Sequence, residues 1–89
     1  MTIRITRDEG MEGGRTVVRV EGRLTLHAAG LLEEVCAAAA GGPAAVDVDL
    51  TGVDFLDGDA ARVVRGLMRL GARVERAGYF VRRALESEA

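Results

Sequence analysis

The sequence predicts a single α/β domain with a small mixed sheet of about four strands and helices packed mainly on one face. Some short segments alternate apolar and polar residues, which is the period of a half-exposed strand. Other segments carry apolar residues at helical spacing. A chain of 89 residues also has room for only one core. We therefore expect residues 1–89 to form one domain with the element order β-β-α-β-α-β-α.

The N-terminal part of the chain is predicted to form a hairpin. Apolar and polar residues alternate over Thr2–Thr6, and three valines indicate a second strand at Thr16–Glu21. The stretch Arg7–Arg15 between them is polar and contains glycine, so we expect it to turn.

A helix is predicted over His27–Ala40, where apolar residues recur at helical spacing. The cluster Gly41-Gly42-Pro43 is expected to end it, because glycine accepts a positive φ and proline cannot continue a helix. The positions expected to face the core are Leu31, Leu32, Val35, Cys36 and Ala39. Cys36 is the only cysteine, so it can form no disulfide within the chain and is expected to pack as a small apolar residue.

The clearest strand is predicted at Ala45–Leu50, where Asp47 and Asp49 share one face and apolar residues share the other. Two carboxylates on one face indicate that water reaches it, so the helices are expected on the opposite side only. The following stretch, Thr51–Asp59, is expected to be a loop that leads into the next helix.

The C-terminal part is predicted to form a helix over Ala60–Leu70, an edge strand over Arg73–Ala77 and a helix over Tyr79–Glu86. Gly71 is expected to end the first helix, and the charges of the strand suit an edge because they discourage pairing with other sheets. The core-facing positions are expected to be Val63, Val64, Leu67, Met68, Leu70, Phe80, Val81, Ala84 and Leu85. A separate stripe of arginines follows the first helix at Arg62, Arg65 and Arg69, with Arg73 as a candidate fourth member.

The chain resembles a STAS domain, the fold of anti-sigma factor antagonists, over roughly residues 16–86. The residues that carry the resemblance are Val48-Asp49-Leu50, similar to the family's strand end, Val53 and Phe55-Leu56, similar to its apolar turn, and Asp57, similar to its leading aspartate. The resemblance implies a regulatory module that binds a protein partner, such as an anti-sigma factor kinase, and has no enzyme activity. The alternative is a small accessory subunit of a transporter ATPase or of another complex.

The family's phosphorylated serine is replaced in this chain. The position after the leading aspartate is Gly58, the next position is Asp59, and the motif's glycine is Ala60. Because glycine has no hydroxyl group, a switch by phosphorylation at that position is chemically excluded. Asp59 or Asp57 is expected to cap the helix, and the alternative is that Asp59 supplies a permanent negative charge in place of a phosphate.

The resemblance places the partner-binding surface on this helix and the loop before it. Its candidate residues are Asp57, Gly58, Asp59, Arg62, Arg65 and Arg69. The arginine stripe is either a solvated face or a docking surface for an acidic partner, since arginine forms bidentate contacts with carboxylates. The Arg73–Ala77 edge also leaves open pairing with a second copy, which would make the chain a homodimer.

The composition argues against several other functions. A net charge of −2 and an aromatic content of 3% predict no nucleic-acid partner. His27 is the only histidine, so a metal site would need Asp54, Asp57 and Asp59, whose simpler role is in turns and caps. The chain has no nucleotide-binding motif, no catalytic triad and no long apolar segment. We therefore expect no cofactor, no membrane insertion and a cytoplasmic location.

Overall fold

A computed structural model describes residues 3–8 and 14–86 of the chain. The elements are β1 (Ile3–Asp8), β2 (Thr16–Leu24), α1 (Leu26–Ala38), a 3-10 turn (Pro43–Ala45), β3 (Val46–Leu56), α2 (Gly58–Arg69), β4 (Arg73–Ala77) and α3 (Tyr79–Glu86). This order confirms the predicted fold class. Thr2 of the first predicted strand and positions 9–13 of the predicted turn lie outside the described residues.

The four strands form one mixed sheet in the order β1-β2-β3-β4. β1 and β2 pair antiparallel, with Ile5 opposite Val20, whereas β3 runs parallel to both β2 and β4. Parallel neighbours need a crossover between them, and the chain segments that contain α1 and α2 provide the two crossovers. β4 forms an edge of this sheet, as its charged sequence predicted.

The core lies between the three helices and one face of the sheet. Val18 and Val20 of β2 and Val46, Val48 and Leu50 of β3 are almost completely buried, because alternate residues of a strand point to one face. The helices contribute Ala28, Ala29, Leu32, Cys36, Ala60, Ala61, Val64, Leu67, Val81 and Leu85. In the described part of the chain, no helix is long and apolar enough to cross a membrane.

The opposite face of the sheet carries polar side chains and faces water. Asp47 lies beside Val17 and Asp49 lies beside Arg19 on this face. Both aspartates are partly exposed, while the valines that alternate with them are in the core. The prediction that the helices cover one side only is therefore confirmed.

The prediction of a loop over Thr51–Asp59 was wrong. β3 continues to Leu56, and β2 likewise runs three residues past its predicted end to Leu24. The two extensions pair with each other through irregular register, with Leu24 opposite Leu56. Glycine and aspartate have low strand propensity, so the local sequence favoured a loop, but backbone pairing with a neighbouring strand decides the conformation.

Four residues that were predicted to face the core are exposed: Leu31, Met68, Leu70 and Phe80. Leu70 lies at the C-cap, beyond the last turn of α2. In α3 the core takes the pair Val81 and Leu85, which are four residues apart, so the preceding aromatic ring points outward. The helix ends also shift by one or two residues from the predicted ones, to Leu26–Ala38 and Gly58–Arg69.

Candidate partner-binding surface

Helix α2 begins where β3 ends, at the carboxyl end of the parallel strands. Asp57 is the one residue between the two elements, and its Oδ1 accepts a hydrogen bond from the backbone N–H of Ala60 at 2.7 Å. Its own backbone N–H donates to the carbonyl of Leu24 at 3.4 Å, which ties the start of α2 to the end of β2. Of the two aspartates predicted to cap the helix, Asp57 is the cap.

Gly58 is the first residue of α2 and is exposed. A Cβ atom built on it meets no described atom within 4 Å, and its φ is not in the positive region that favours glycine. The backbone therefore accepts any ordinary side chain at this position. The fold therefore does not require glycine at this position.

Asp59 lies in the first turn of α2 and forms an ion pair with Arg62. Arg62 Nη1 is 2.6 Å from Asp59 Oδ1, and both side chains are more than half exposed. Residues three apart on a helix face the same direction, which brings the two groups together. Arg62 therefore offsets part of the charge of Asp59, and a role of Asp59 in place of a phosphate stays a prediction.

The arginines of the predicted stripe differ in their contacts and positions. Arg65 Nη1 donates to the carbonyl of Ala84 at 3.2 Å, so this side chain connects α2 to α3. Arg69 is exposed in the last turn, where a cation is favourable beside the carbonyl end of a helix. Arg73 lies on β4, beside Asp47 in the register of the sheet, and is therefore not part of the α2 surface.

Two shallow depressions flank the start of α2. One has a volume of about 370 Å³, lies between α1 and α2, and is lined by Leu26, Glu33, Asp59, Arg62, Val63 and Gly66. The other has a volume of about 280 Å³, lies towards α3, and is lined by Leu56, Asp57, Gly58, Ala61, Arg62, Arg65 and Ala84. Arg62 borders both depressions.

Leu26 adds an apolar group that the sequence did not indicate. It begins α1 and is 51% exposed beside the Asp59–Arg62 pair. The helix was predicted to begin one residue later, so Leu26 was not assigned to either face. A signal was present in Thr25, whose Oγ1 accepts from the N–H of Ala28 at 3.5 Å and marks the N-cap.

The side chains that could bind a metal ion are dispersed among the described residues. Across residues 3–8 and 14–86, no group of three or more histidine, cysteine or acidic residues is placed to hold a metal ion. Burial raises the pKa of the Cys36 thiol to about 11, and the charge of Glu33 adds to this effect. Cys36 is completely buried, as predicted, and its protonated thiol packs as an apolar group.

The open face of the sheet holds a second set of charged contacts. Arg15 and Asp47 form an ion pair at 2.6 Å, and Arg19 and Asp49 form one at 3.4 Å. Burial opposes ionisation of Asp49, but hydrogen bonds from Thr51 and Arg19 outweigh it and lower the pKa of this carboxyl. These carboxylates were predicted to lie on a face that water reaches, and each of them is paired there with an arginine in or directly before β2.

No protein-family model and no curated protein matches this chain. The resemblance to STAS domains therefore stays a prediction, and its support is the element order together with the residues from Val48 to Asp57.

Proposed function

We propose that the chain is a non-enzymatic regulatory module that binds a protein partner through the start and the outward side of α2. It resembles an anti-sigma factor antagonist that lacks the switch at the usual serine position. The observation that carries this proposal is the position of Arg62, which borders two depressions beside the exposed Leu26.

The chemistry of this surface suits protein binding. Protein interfaces are enriched in arginine, and their fully buried centre is more apolar than the rest of the surface. Leu26 and Val63 offer apolar area, and Arg62 lies between them and the second depression. An exposed ion pair such as Asp59–Arg62 contributes only about 0–1 kcal/mol to stability, so a partner's carboxylate can replace Asp59 at small cost.

The class of partner follows from the resemblance to STAS domains. We infer an anti-sigma factor kinase or a related ATP-binding regulatory protein, which places the chain in the cytoplasm and in the regulation of transcription. Since Gly58 cannot be phosphorylated, binding would not be released by modification at that position. Regulation would then depend on the partner's own state or on its abundance.

Affinity capture from an extract of the source cells tests the proposal. The bait is the whole chain, in wild-type form and as Arg62→Glu, Leu26→Asp and Arg4→Glu variants. Arg4 is an exposed arginine on β1, far along the sheet from β4, and serves as the matched control. We expect one ATP-binding protein to be retained by wild type and by Arg4→Glu, and to be lost from the other two.

The outcome is read by mass spectrometry and then by titration of the purified partner. A partner that is retained equally by all four baits would contradict the proposed surface. Capture of a transporter ATPase subunit in place of a kinase would support the accessory-subunit alternative and contradict the proposed class of partner. Capture of no protein by any bait would contradict the function itself.

A further inference from the structure

A second exposed surface lies at the β4 edge of the sheet, by the C-terminal half of α2. In the described sheet, β4 pairs with β3 on one side and has no strand on the other. Backbone N–H and C=O groups along such an edge can pair with an added strand. Addition of an extended segment to a sheet edge is a common mode of peptide recognition.

An apolar groove runs beside this edge on the side of the helices. It has a volume of about 380 Å³ and is lined by Met68, Val74, Ala77, Arg82, Leu85 and Glu86. Val74 and Ala77 belong to β4 itself, and Met68 is exposed although apolar. Because side chains of a strand alternate between faces, every second residue of a strand added to β4 would lie over this groove.

Most of the charged side chains in this region are positive. Residues 60–86 contain seven arginines and two glutamates, a net charge of +5, whereas the whole chain has a net charge of −2. Residues 24–59 contain seven acidic residues and no arginine, a net charge of −7 with His27 neutral. The part of α2 that follows Asp59, together with β4 and α3, is therefore basic.

The two arginines of β4, Arg73 and Arg76, have no carboxylate partner among the residues that the structure describes. Arg73 and Arg76 lie beside Asp47 and Asp49 in the register of the sheet. Those two aspartates are already paired on their other side, Asp47 with Arg15, which directly precedes β2, and Asp49 with Arg19 of β2. Among the described residues, no ion pair or side-chain hydrogen bond joins Arg73 or Arg76 to another group.

We propose that the β4 edge binds an extended, acidic segment of another protein, which pairs with β4 as a fifth strand. Its apolar side chains cover the groove formed by Met68, Val74, Ala77 and Leu85. Its carboxylates point to the open face and meet the guanidinium groups of Arg73 and Arg76. The same two arginines that discourage unselective pairing of this edge thereby select an acidic strand.

A second copy of this chain does not supply such a segment. Pairing of β4 with β4 of another copy brings together two strands that each carry two arginines and one glutamate. The other edge of the sheet, β1, carries Arg4 and Arg7 against Asp8. Neither edge is acidic, so like charges oppose the homodimer that the sequence left open.

Binding of model peptides tests this proposal directly. The probe is a short fluorescein-labelled peptide of alternating glutamate and valine, titrated with the full chain and followed by fluorescence anisotropy. One control peptide has lysine in place of each glutamate, and another has an N-methylated backbone that cannot complete strand pairing. We expect the acidic peptide to bind, and to bind more weakly at high salt, while neither control peptide binds.

Variants of the chain locate the binding site. The Arg73→Glu/Arg76→Glu variant replaces two attractive contacts with repulsive ones, so it should bind the acidic peptide roughly tenfold more weakly. Met68→Asp should also weaken binding, because it places a charge in the groove. Arg4→Glu, at the opposite edge of the sheet, should bind like wild type, and circular dichroism checks that each variant is folded.

Several results would overturn the proposal. They are equal binding of the lysine peptide, unchanged binding by the folded double variant, and absence of binding to wild type at millimolar peptide. Light scattering that shows a dimer of the free chain, converted to monomer by Met68→Asp, would assign the edge to a second copy. None of these results decides whether a partner binds at the start of α2, because that proposal is tested separately with the Arg62→Glu variant.

Discussion

Arg15 and Asp47 form an ion pair between Nε and Oδ1 at 2.6 Å, with both side chains about four-fifths buried, 22% and 19% exposed. The same guanidinium donates from Nη1 to the carbonyl of Ala44 and from Nη2 to that of Val46, each at 3.0 Å. The Arg15 side chain, directly before β2, thus contacts both the 3-10 turn and the first residue of β3.

We expect Arg15→Ala to lower the free energy of unfolding by about 1–2 kcal/mol, because it removes three charge-assisted hydrogen bonds from a partly buried site. Urea denaturation measures this change. Arg19→Ala is the matched control, since Arg19 is half exposed and is 3.4 Å from Asp49, and its loss should cost less than about 0.5 kcal/mol. If both variants lower the free energy of unfolding equally, the contacts of Arg15 stabilise the fold no more than the single contact of Arg19.

The two glycines Gly58 and Gly71 should respond in opposite ways to alanine. Gly58 is in open space with an ordinary φ, so Gly58→Ala should be neutral or raise the free energy of unfolding by up to about 1 kcal/mol. Gly71 has φ +108°, and a Cβ there would be 2.9 Å from the Cβ of Ala44. Gly71→Ala should therefore lower it by more than about 1 kcal/mol.

Thermal or urea unfolding of the two glycine variants decides the comparison. A large loss of stability in Gly58→Ala would mean that the start of α2 is strained or covered, contrary to the structure. The result also bears on function, because a tolerated Gly58→Ala predicts that Gly58→Ser folds and can be offered to a kinase as a restored acceptor.

The stability of the fold should fall at low pH partly because of Asp49. The pKa of this carboxyl is lower in the folded state than its usual value of 3.8. A depressed folded pKa contributes stability that is fully present above the unfolded pKa and is lost as the pH falls through the folded pKa. Asp49→Asn should therefore flatten the dependence of unfolding free energy on pH below about 4.

Urea unfolding of wild type and Asp49→Asn at several pH values measures the effect. Asp54→Asn is a suitable control, because Asp54 is an exposed aspartate of the same strand. If both variants flatten the pH dependence equally, the hydrogen bonds from Thr51 and Arg19 are not its cause.

Cys36 should resist modification as long as the chain is folded. Its thiol is buried and its pKa is raised from 9.0 to about 11, so both access and the thiolate fraction are reduced. At pH 8 a disulfide reagent should react slowly with the folded chain and rapidly in urea. Fast reaction of the folded chain, with no effect of urea, would show that α1 does not bury this residue.

A raised pKa in the folded state has a further consequence at alkaline pH. The unfolded thiol loses its proton near pH 9 and the folded one only near pH 11, so stability should decline as the pH rises through this interval. Cys36→Ala should remove that part of the decline. The measurement is the same urea titration carried out between these two pH values.

The elements with strong local patterns were predicted well. The segments Arg73–Ala77 and Tyr79–Glu86 have the predicted bounds, because a charged alternating stretch and a helical apolar stripe are properties of a few adjacent residues. Asp57 was likewise recognised as one of two candidate caps, since capping involves atoms only three residues apart. The continuation of β3 to Leu56 was missed, because it depends on pairing with β2.

The order of the elements, the lack of a phosphorylatable hydroxyl at Gly58 and the water-facing side of the sheet with Asp47 and Asp49 could all be predicted from the sequence. Which charged side chains pair with each other could not be, because it depends on the tertiary fold. Arg15 and Asp47 are 32 positions apart and meet because parallel pairing sets their register. Since Asp47 is paired with Arg15, Arg73 on its other side has no carboxylate partner among the described residues. Local periodicity shows the face on which a side chain lies, but its neighbour across the sheet depends on long-range pairing.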